Sequence, residues 1–317
     1  MPAHILALLC GALTDVLLGD PEGFPHPVRF IGKYIDFAVR LARRGNPSAK
    51  VLRRRAVAVG LSTVGLSALV TWAALRLLAF LGFWPHFIGM SVLSWTCLSA
   101  RCLADEAEGV RRALGEGLEA GRKRVGRIVG RDTEDLSERE VICATLETVA
   151  ENLCDGVISP MLYLALGGPV LGMAFKAAST LDSMIGYRDD QHRDVGWFSA
   201  RMDDVLNFIP ARLTALLMVL CATPLGLDGA EAWRIVRRDH RNHLSPNCAW
   251  PESAAAGALH VQLGGTHRYF GQIVVKPTIG DDSRPPAPDD IPRLNRLMFA
   301  AAALMLALVA GVGLILR

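Results

Sequence analysis

An all-α, polytopic membrane helical bundle is the fold class this sequence predicts, and three observations predict it. More than half of the 317 residues are hydrophobic (51%), and the mean hydropathy is positive at +0.29. Several stretches run for about twenty residues without a charge, enough to cross about 30 Å of hydrocarbon at about 1.5 Å per residue. Gly167, Gly168 and Pro169 interrupt another apolar run, as in broken or re-entrant membrane helices.

In chain order, Met1 to Thr14 lacks the basic start and the small-residue cleavage site of a signal peptide. It reads as a retained first span. Spans are expected near 3–18, 56–80, 83–102, 205–227 and 297–316, with polar helices over 137–212, all within one integral-membrane domain covering 1–317. Gly82 to Pro85 supplies a turn between the second and third spans, and Met161 to Phe175 is expected to be re-entrant. Pro21, Pro25 and Pro27 predict an extended, rigid loop over 17–32 that holds His26 and Arg29 in fixed directions. Arg29 there suits a phosphate and His26 a proton near neutral pH; pairing of both with backbone carbonyls is an equal reading. Further on, Pro251 and Glu252 suit the first turn of a helix. Its residues Ser253, Ala254, Gly257 and Ala258 allow a second backbone to approach closely. Residues 278–292 read as a surface linker into the last span.

A net charge of +3 is too small to indicate nucleic acid as a partner. The seven cysteines show no C-x-x-C spacing and read as buried thiols rather than zinc ligands or disulfides. Walker A, G-x-G-x-x-G, G-x-S-x-G and H-E-x-x-H patterns are absent. Arginine crowds the segments 40–55 and 101–131. The positive-inside rule puts both in the cytoplasm, with topology and lipid headgroups as the primary reading of their charge.

The most informative stretch runs from Ser137 to Thr214. Ser137 and Glu140 form a capping-box pattern that starts a helix. Glu147, Glu151 and Asp155 then recur every four residues, on one face, opposite Ile142, Leu146, Val149 and Leu153. By itself that is an amphipathic helix with a solvated polar side. Lys176, Ser179, Thr180, Ser183 and Tyr187 share a second helical stripe, beside Asp182. Arg201, Asp203, Asp204, Asn207 and Arg212 follow on a third segment. Ionisable groups at bilayer depth cost about 2.5–3.5 kcal/mol each even on lenient scales. Such stripes are therefore expected to converge on a hydrated pocket, where carboxylates with Lys and Arg suit Mg²⁺ and phosphate.

Six ordered motifs, D-V-L-L-G-D-P-x3-P-H-P-V-R, R-D-T-x-x-L-x3-E-V, E-T-V-A-E-N-x-x-D-G-V, K-A-x-x-T-L-D-S-M-x-G-Y, A-R-x-D-D-x-x-N-x-x-P-A-R-L-T-A and S-P-N-x-x-W-P-E-x-A-x-A-G-A-L, cover nearly the whole chain. Together they resemble the cobalamin biosynthesis proteins of the adenosylcobinamide-phosphate synthase type. Ser179 departs from that family's usual Asn, and Ser159 and Cys248 replace small residues. The resemblance implies a multi-pass protein of the bacterial inner membrane. It also implies ATP- and Mg²⁺-dependent amide ligation of aminopropanol, or its phosphate, to the f-side propionate of the corrinoid adenosylcobyric acid. On that reading Glu147, Glu151, Asp155, Asp182 and His26 form the catalytic set. Asp155, Asp203 and Asp204 are the metal ligands. Arg29, Lys176, Arg201, Arg212, Asn152, Asn207, Asn247 and Glu252 bind substrate or phosphate, on the cytoplasmic face. Other pathway enzymes or a second copy remain open as partners. Two other classes stay open beside it: an intramembrane Mg²⁺-dependent phosphotransferase or prenyltransferase, and a non-enzymatic corrinoid transporter or scaffold.

Overall fold

In a computed structural model of the protein, residues 1–21, 23–187, 192–269 and 271–315 are described. The fold is all-α, with one small hairpin among the described residues, and its helices group into two compact units. The first unit comprises 1–99, 159–207 and 309–317; the second comprises 100–158 and 208–308.

The first unit holds α1 (Ala3–Leu18), α2 (Pro27–Ala42), α3 (Ala49–Phe80), α4 (Phe83–Trp95), α8 (Ser159–Ile185) and α9 (Trp197–Leu206). Ala7 of α1, Leu75 of α3 and Met90 of α4 pack together, with Val170 of α8 against them. Gly167 and Gly168 leave helical geometry inside α8, Gly168 with φ 61°, a left-handed value that glycine adopts without steric cost. Pro169, next in line, has no N–H to give to the carbonyl four residues back, that of Ala165. The His4 ring occupies that place, with Nε2 3.1 Å from the Ala165 oxygen. The expected break is therefore present, and an α1 side chain satisfies the carbonyl it exposes.

The loop expected over 17–32 ends sooner than the prolines suggested. Pro27 is the first residue of α2, where a helix needs no N–H, and His26 caps it by accepting from the Val28 N–H at 3.3 Å. Arg29 consequently lies on a helix and is exposed.

The second unit holds α5 (Ala100–Glu116), α6 (Leu118–Val125), α7 (Glu138–Leu153), a π turn (Cys154–Ile158), α10 (Phe208–Ala222) with a 3-10 turn (Thr223–Leu225), α11 (Gly229–Asp239), α12 (Ala249–Leu259) and most of α13 (Asp290–Ile315). Strands β1 (Leu263–Tyr269) and β2 (Gln272–Ile279) pair antiparallel. The hairpin was not expected; it takes Thr278 and Ile279 out of the predicted linker, and α13 takes residues 290–292 from its other end. Val110, Val125, Leu136, Val141 and Ala144 form a core under α5, α6 and α7.

Among the described residues five helical runs are long and apolar enough to cross a membrane: Ala49–Phe80, Phe83–Glu116, Glu138–Ile185, Phe208–Leu225 and Asp290–Ile315. Ala3–Leu18 is apolar but shorter, and the run Glu138–Ile185 stands among the five in its place. The last residue of the expected final span, Leu316, lies outside the described residues. Of the cysteines, read as buried, only Cys97, Cys143 and Cys154 are fully so, and Cys10 is exposed.

Gly257 shows why the small-residue stripe matters. A Cβ there would stand 2.6 Å from the Ala232 Cα and 2.7 Å from the Glu231 oxygen, both backbone atoms of α11. Gly257→Val should therefore cost about 1–3 kcal/mol through forced displacement of packed helices, read as a lower thermal midpoint of the detergent-solubilised protein. Gly311→Ala, with nothing within 4 Å, should not lower that midpoint.

Candidate active site

In the second unit the site begins with the capping box. Ser137 N–H donates to Glu140 Oε2 at 2.7 Å, and Glu140 N–H donates back to Ser137 Oγ at 3.3 Å. This starts α7 in the register that the sequence predicts and sets Glu147 and Glu151 one turn apart. Water does not solvate that face, as the amphipathic reading expected. Glu147 is 5% exposed, and almost every residue of α7 from Val141 to Ala150 is buried.

Protein partners replace the water. Arg131 pairs with Glu147 through Nη2, and each side chain is only 7% exposed. The Gly264 N–H of β1 donates to Glu147 Oε1 at 2.7 Å. His267 of β1 lies flat on Arg131, its ring nitrogens 3.1 and 3.2 Å from Nη1. Burial first, then the Arg131 charge, push the His267 imidazole down to about 4. The hairpin is held to the loop before α7 by Asp132 N–H to the Arg268 oxygen at 2.9 Å and Gly271 N–H to Asp132 Oδ2 at 2.7 Å.

One turn along, Glu151 Oε1 accepts from the Cys248 thiol at 3.0 Å. Burial and the charges of Glu151, Glu252 and Asp155 raise that thiol well above its ordinary range. Asp155 lies in the π turn that follows α7 and, with Glu151, is one of the charges acting on Cys248. Such turns are frequent at functional sites. Glu252, on α12, is 4% exposed. Burial, reinforced by Glu147 and Glu151, lifts its carboxyl well above the usual range. The same surroundings favour its protonated form, which can donate a hydrogen bond. His243 is pushed below its ordinary value by burial and then by Lys276, whose Nζ stands 3.4 Å from Nε2.

Arg212 is fixed beside this group. Its guanidinium lies 3.6 Å from the Phe208 ring centroid and 4.7 Å from that of Trp250, and donates to Asn247 Oδ1 at 3.1 Å. Asn152 donates to the Thr148 oxygen of its own helix at 3.0 Å.

The remaining sequence-predicted residues lie in the first unit: His26, Arg29, Lys176, Asp182, Arg201, Asp203, Asp204 and Asn207. His26 Nε2 is 3.8 Å from Asp20 Oδ1. Burial, opposed by Asp20 and helped by Lys176, lowers its imidazole. Asn207 accepts from Ser159 Oγ at 2.6 Å and donates to Asp203 Oδ2 at 3.0 Å, while Tyr163 OH donates to the Leu206 oxygen at 2.8 Å. These bonds latch the end of α9 to α8. Asp182, Asp203 and Asp204 are half-buried, and Arg201 is exposed. The proposed metal ligands Asp155, Asp203 and Asp204 come from both units. Among the described residues no three His, Cys, Asp or Glu side chains form a ready-made metal cluster.

Arg131, His243, Cys248, His267 and Lys276 were missing from the predicted set. Arg131 had a signal, standing at the head of R-D-T just before the capping box. His267 and Lys276 had none, because they sit on strands with no clear alternation.

The model of the family described as CobD/Cbib protein matches residues 8–298. The chain is 44% identical over 305 residues to the cobalamin biosynthesis protein CobD of Listeria monocytogenes serotype 4b, covering 96% of each chain. It is 46% identical over 309 residues to CobD of Klebsiella pneumoniae, covering 97% of each. It is also 46% identical over 308 residues to the cobalamin biosynthesis protein CbiB of Salmonella typhi, covering 96% of each. No solved structure matches the chain.

Arg131→Met should destabilise the protein by about 3–5 kcal/mol, because it strands the buried Glu147 charge. The Arg131→Met/Glu147→Gln double variant should regain part of that in denaturant titration. The unfolded His267 binds its proton near 6.5 and the folded one only near 4. Stability should thus be full above the first value and fall as pH drops toward the second. His267→Gln should flatten that interval in thermal unfolding measured against pH.

Proposed function

The chain belongs to the CobD/Cbib protein family, and from that premise we propose that it acts in cobalamin biosynthesis as an amide-forming ligase. The proposed reaction joins aminopropanol, or its phosphate, to the f-side propionate of adenosylcobyric acid with consumption of ATP. The observation that carries it is the acid–base group of the second unit. There Glu151 and Asp155 accompany the buried Glu252, the Glu147–Arg131 pair, Lys276 and His243.

Amide formation needs those residue types. A carboxylate resists attack by an amine until a phosphoryl group is placed on it, and phosphoryl transfer is chiefly positioning and charge neutralisation. The propionate oxygen attacks the terminal phosphorus and ADP leaves. The amine nitrogen then attacks the acyl carbon and inorganic phosphate leaves. Glu151 and Asp155 are placed to take the proton that the ammonium must lose before attack. Glu252, as an acid, can donate a hydrogen bond to a developing negative oxygen. Arg212, braced by two rings and Asn247, presents a fixed cation to phosphate.

Magnesium fits this donor set as part of the nucleotide, not as a resident ion. It would keep several waters and be held through one or two carboxylates plus substrate phosphates, and Asp155 is the carboxylate of this unit expected to hold it. When bound it neutralises phosphate charge. We place the protein in the bacterial inner membrane with this chemistry on the cytoplasmic side, where ATP and the basic loops belong.

Purified protein given adenosylcobyric acid, aminopropanol phosphate and Mg-ATP should yield the amide together with ADP, seen by mass spectrometry. Free aminopropanol in a parallel reaction identifies the preferred amine. Asp155→Asn and Asp204→Asn should each abolish turnover while the protein stays folded and inserted. Corrinoid binding with neither amide nor ADP formed would favour a transporter or scaffold.

A further inference from the structure

Helix α2 carries three strips, of which the fold buries only one. Ile31, Ile35, Ala38, Val39 and Ala42 face the first unit's core. At about 100° per residue, Phe30, Phe37 and Leu41 share a second strip about 40° wide. Arg29, Lys33 and Arg40 share a third of the same width, directly beside it. Phe30 is 62% exposed, Phe37 57% and Leu41 50%. The three basic residues are exposed as well. Large aromatic and aliphatic side chains bordered by a row of cations are the pattern of a helix that lies in a membrane interface.

The level of α2 is fixed independently, from inside the same unit. The charge-free stretch of α3 begins after Arg55 and ends before Arg76. Those two residues are separated by about 31 Å of helix, the thickness of the hydrocarbon layer. Leu61, Leu69 and Val70 between them are about 60% exposed, as lipid-facing residues are. Arg55 thus marks one membrane boundary. Its guanidinium donates to the Ala42 oxygen at 2.8 Å and the Arg44 oxygen at 2.9 Å, which pins the end of α2 to that boundary. The rest of α2 is kept at that level by its own charges. Arg29, Lys33, Asp36 and Arg40 recur along its length and are exposed, and an ionisable group at bilayer depth costs about 2.5–3.5 kcal/mol even on lenient scales. A helix charged in this way lies along the boundary and does not cross the membrane.

We propose that α2 is an interfacial helix. Its Phe30–Phe37–Leu41 strip dips into the acyl boundary, and its Arg29–Lys33–Arg40 strip binds the headgroups of anionic phospholipid. The apolar strip supplies depth; the basic strip supplies selectivity for negative charge, each cation near an anionic surface adding to the attraction. Asp36, at the outer edge of the basic strip, points toward water. The proposal is independent of the reaction assigned to the protein.

The test is site-directed spin labelling of the full chain, reconstituted in phosphatidylcholine vesicles with and without phosphatidylglycerol, in a Cys10→Ala background. Nitroxides at Phe37→Cys and, separately, Asp36→Cys report collision with oxygen, which partitions into lipid, and with a nickel chelate, which stays in water. The oxygen-to-nickel ratio at 37 should exceed that at 36 severalfold. Phosphatidylglycerol should raise the ratio at 37, and Lys33→Gln/Arg40→Gln should cancel that rise without changing the ratio in pure phosphatidylcholine. Equal nickel access at the two positions would overturn the proposal. So would a label at 37 shielded from both reagents and dipolar-broadened, which marks a second copy of the chain on this face. An unchanged ratio on adding phosphatidylglycerol would overturn the headgroup assignment.

Discussion

A carboxylate that has lost its water must be fully paired, and the second unit is built around one such group. Glu147 gives up solvent on every side, and its two oxygens are met by Arg131, the Gly264 N–H and, at 4.0 Å, the His267 ring. Removing a charge from water costs several kcal/mol even after relaxation. These partners therefore have to arrive together. Arg131 comes from the loop before α7, while Gly264 and His267 come from a strand more than a hundred residues later. The ion pair thus dictates that the hairpin folds back over α7 and that the 131–135 loop is fixed against it. The site's shape follows from satisfying a buried charge rather than from local helix preference.

The same rule governs the helix breaks. Within an apolar layer, a carbonyl released by a break needs a protein donor. At Gly167–Gly168–Pro169 the donor is the His4 ring, a side chain of α1, so the break in α8 also joins those two helices. At Cys154–Ile158 the chain instead keeps continuous bonding by widening into a π turn that carries Asp155.

Neighbouring carboxyls in the second unit meet different surroundings. Glu147 is paired with an arginine. Glu252, equally buried but facing like charge, has its carboxyl pushed well above the usual range. Separation of acid and base roles among similar side chains is how a site performs both proton acceptance and hydrogen-bond donation at one pH. In the first unit, the Ser159–Asn207–Asp203 chain spends its hydrogen bonds on joining α8 to α9. Asn207 thereby also fixes the Asp203 carboxylate.

By itself the sequence determined whatever depends on local order and composition. The capping box started α7 at the expected residue, the uncharged stretches marked the crossing helices, Gly257 forecast the close approach of α11 and α12, and the ordered motifs carried the family. It misjudged Pro27, because a proline that forbids a helix interior favours a helix start, and only the cap at His26 distinguishes the two. Tertiary structure alone decided which polar residues lose their water. Glu147, Glu151 and Asp155 have identical spacing, yet one became an ion pair, one a thiol acceptor and one a member of a π turn. The reason is physical: spacing fixes direction around a helix axis, whereas burial and protonation depend on what distant segments bring to that face. Arg131, His267 and Lys276 reach the site by such long-range contacts, and no periodicity in the chain encodes them.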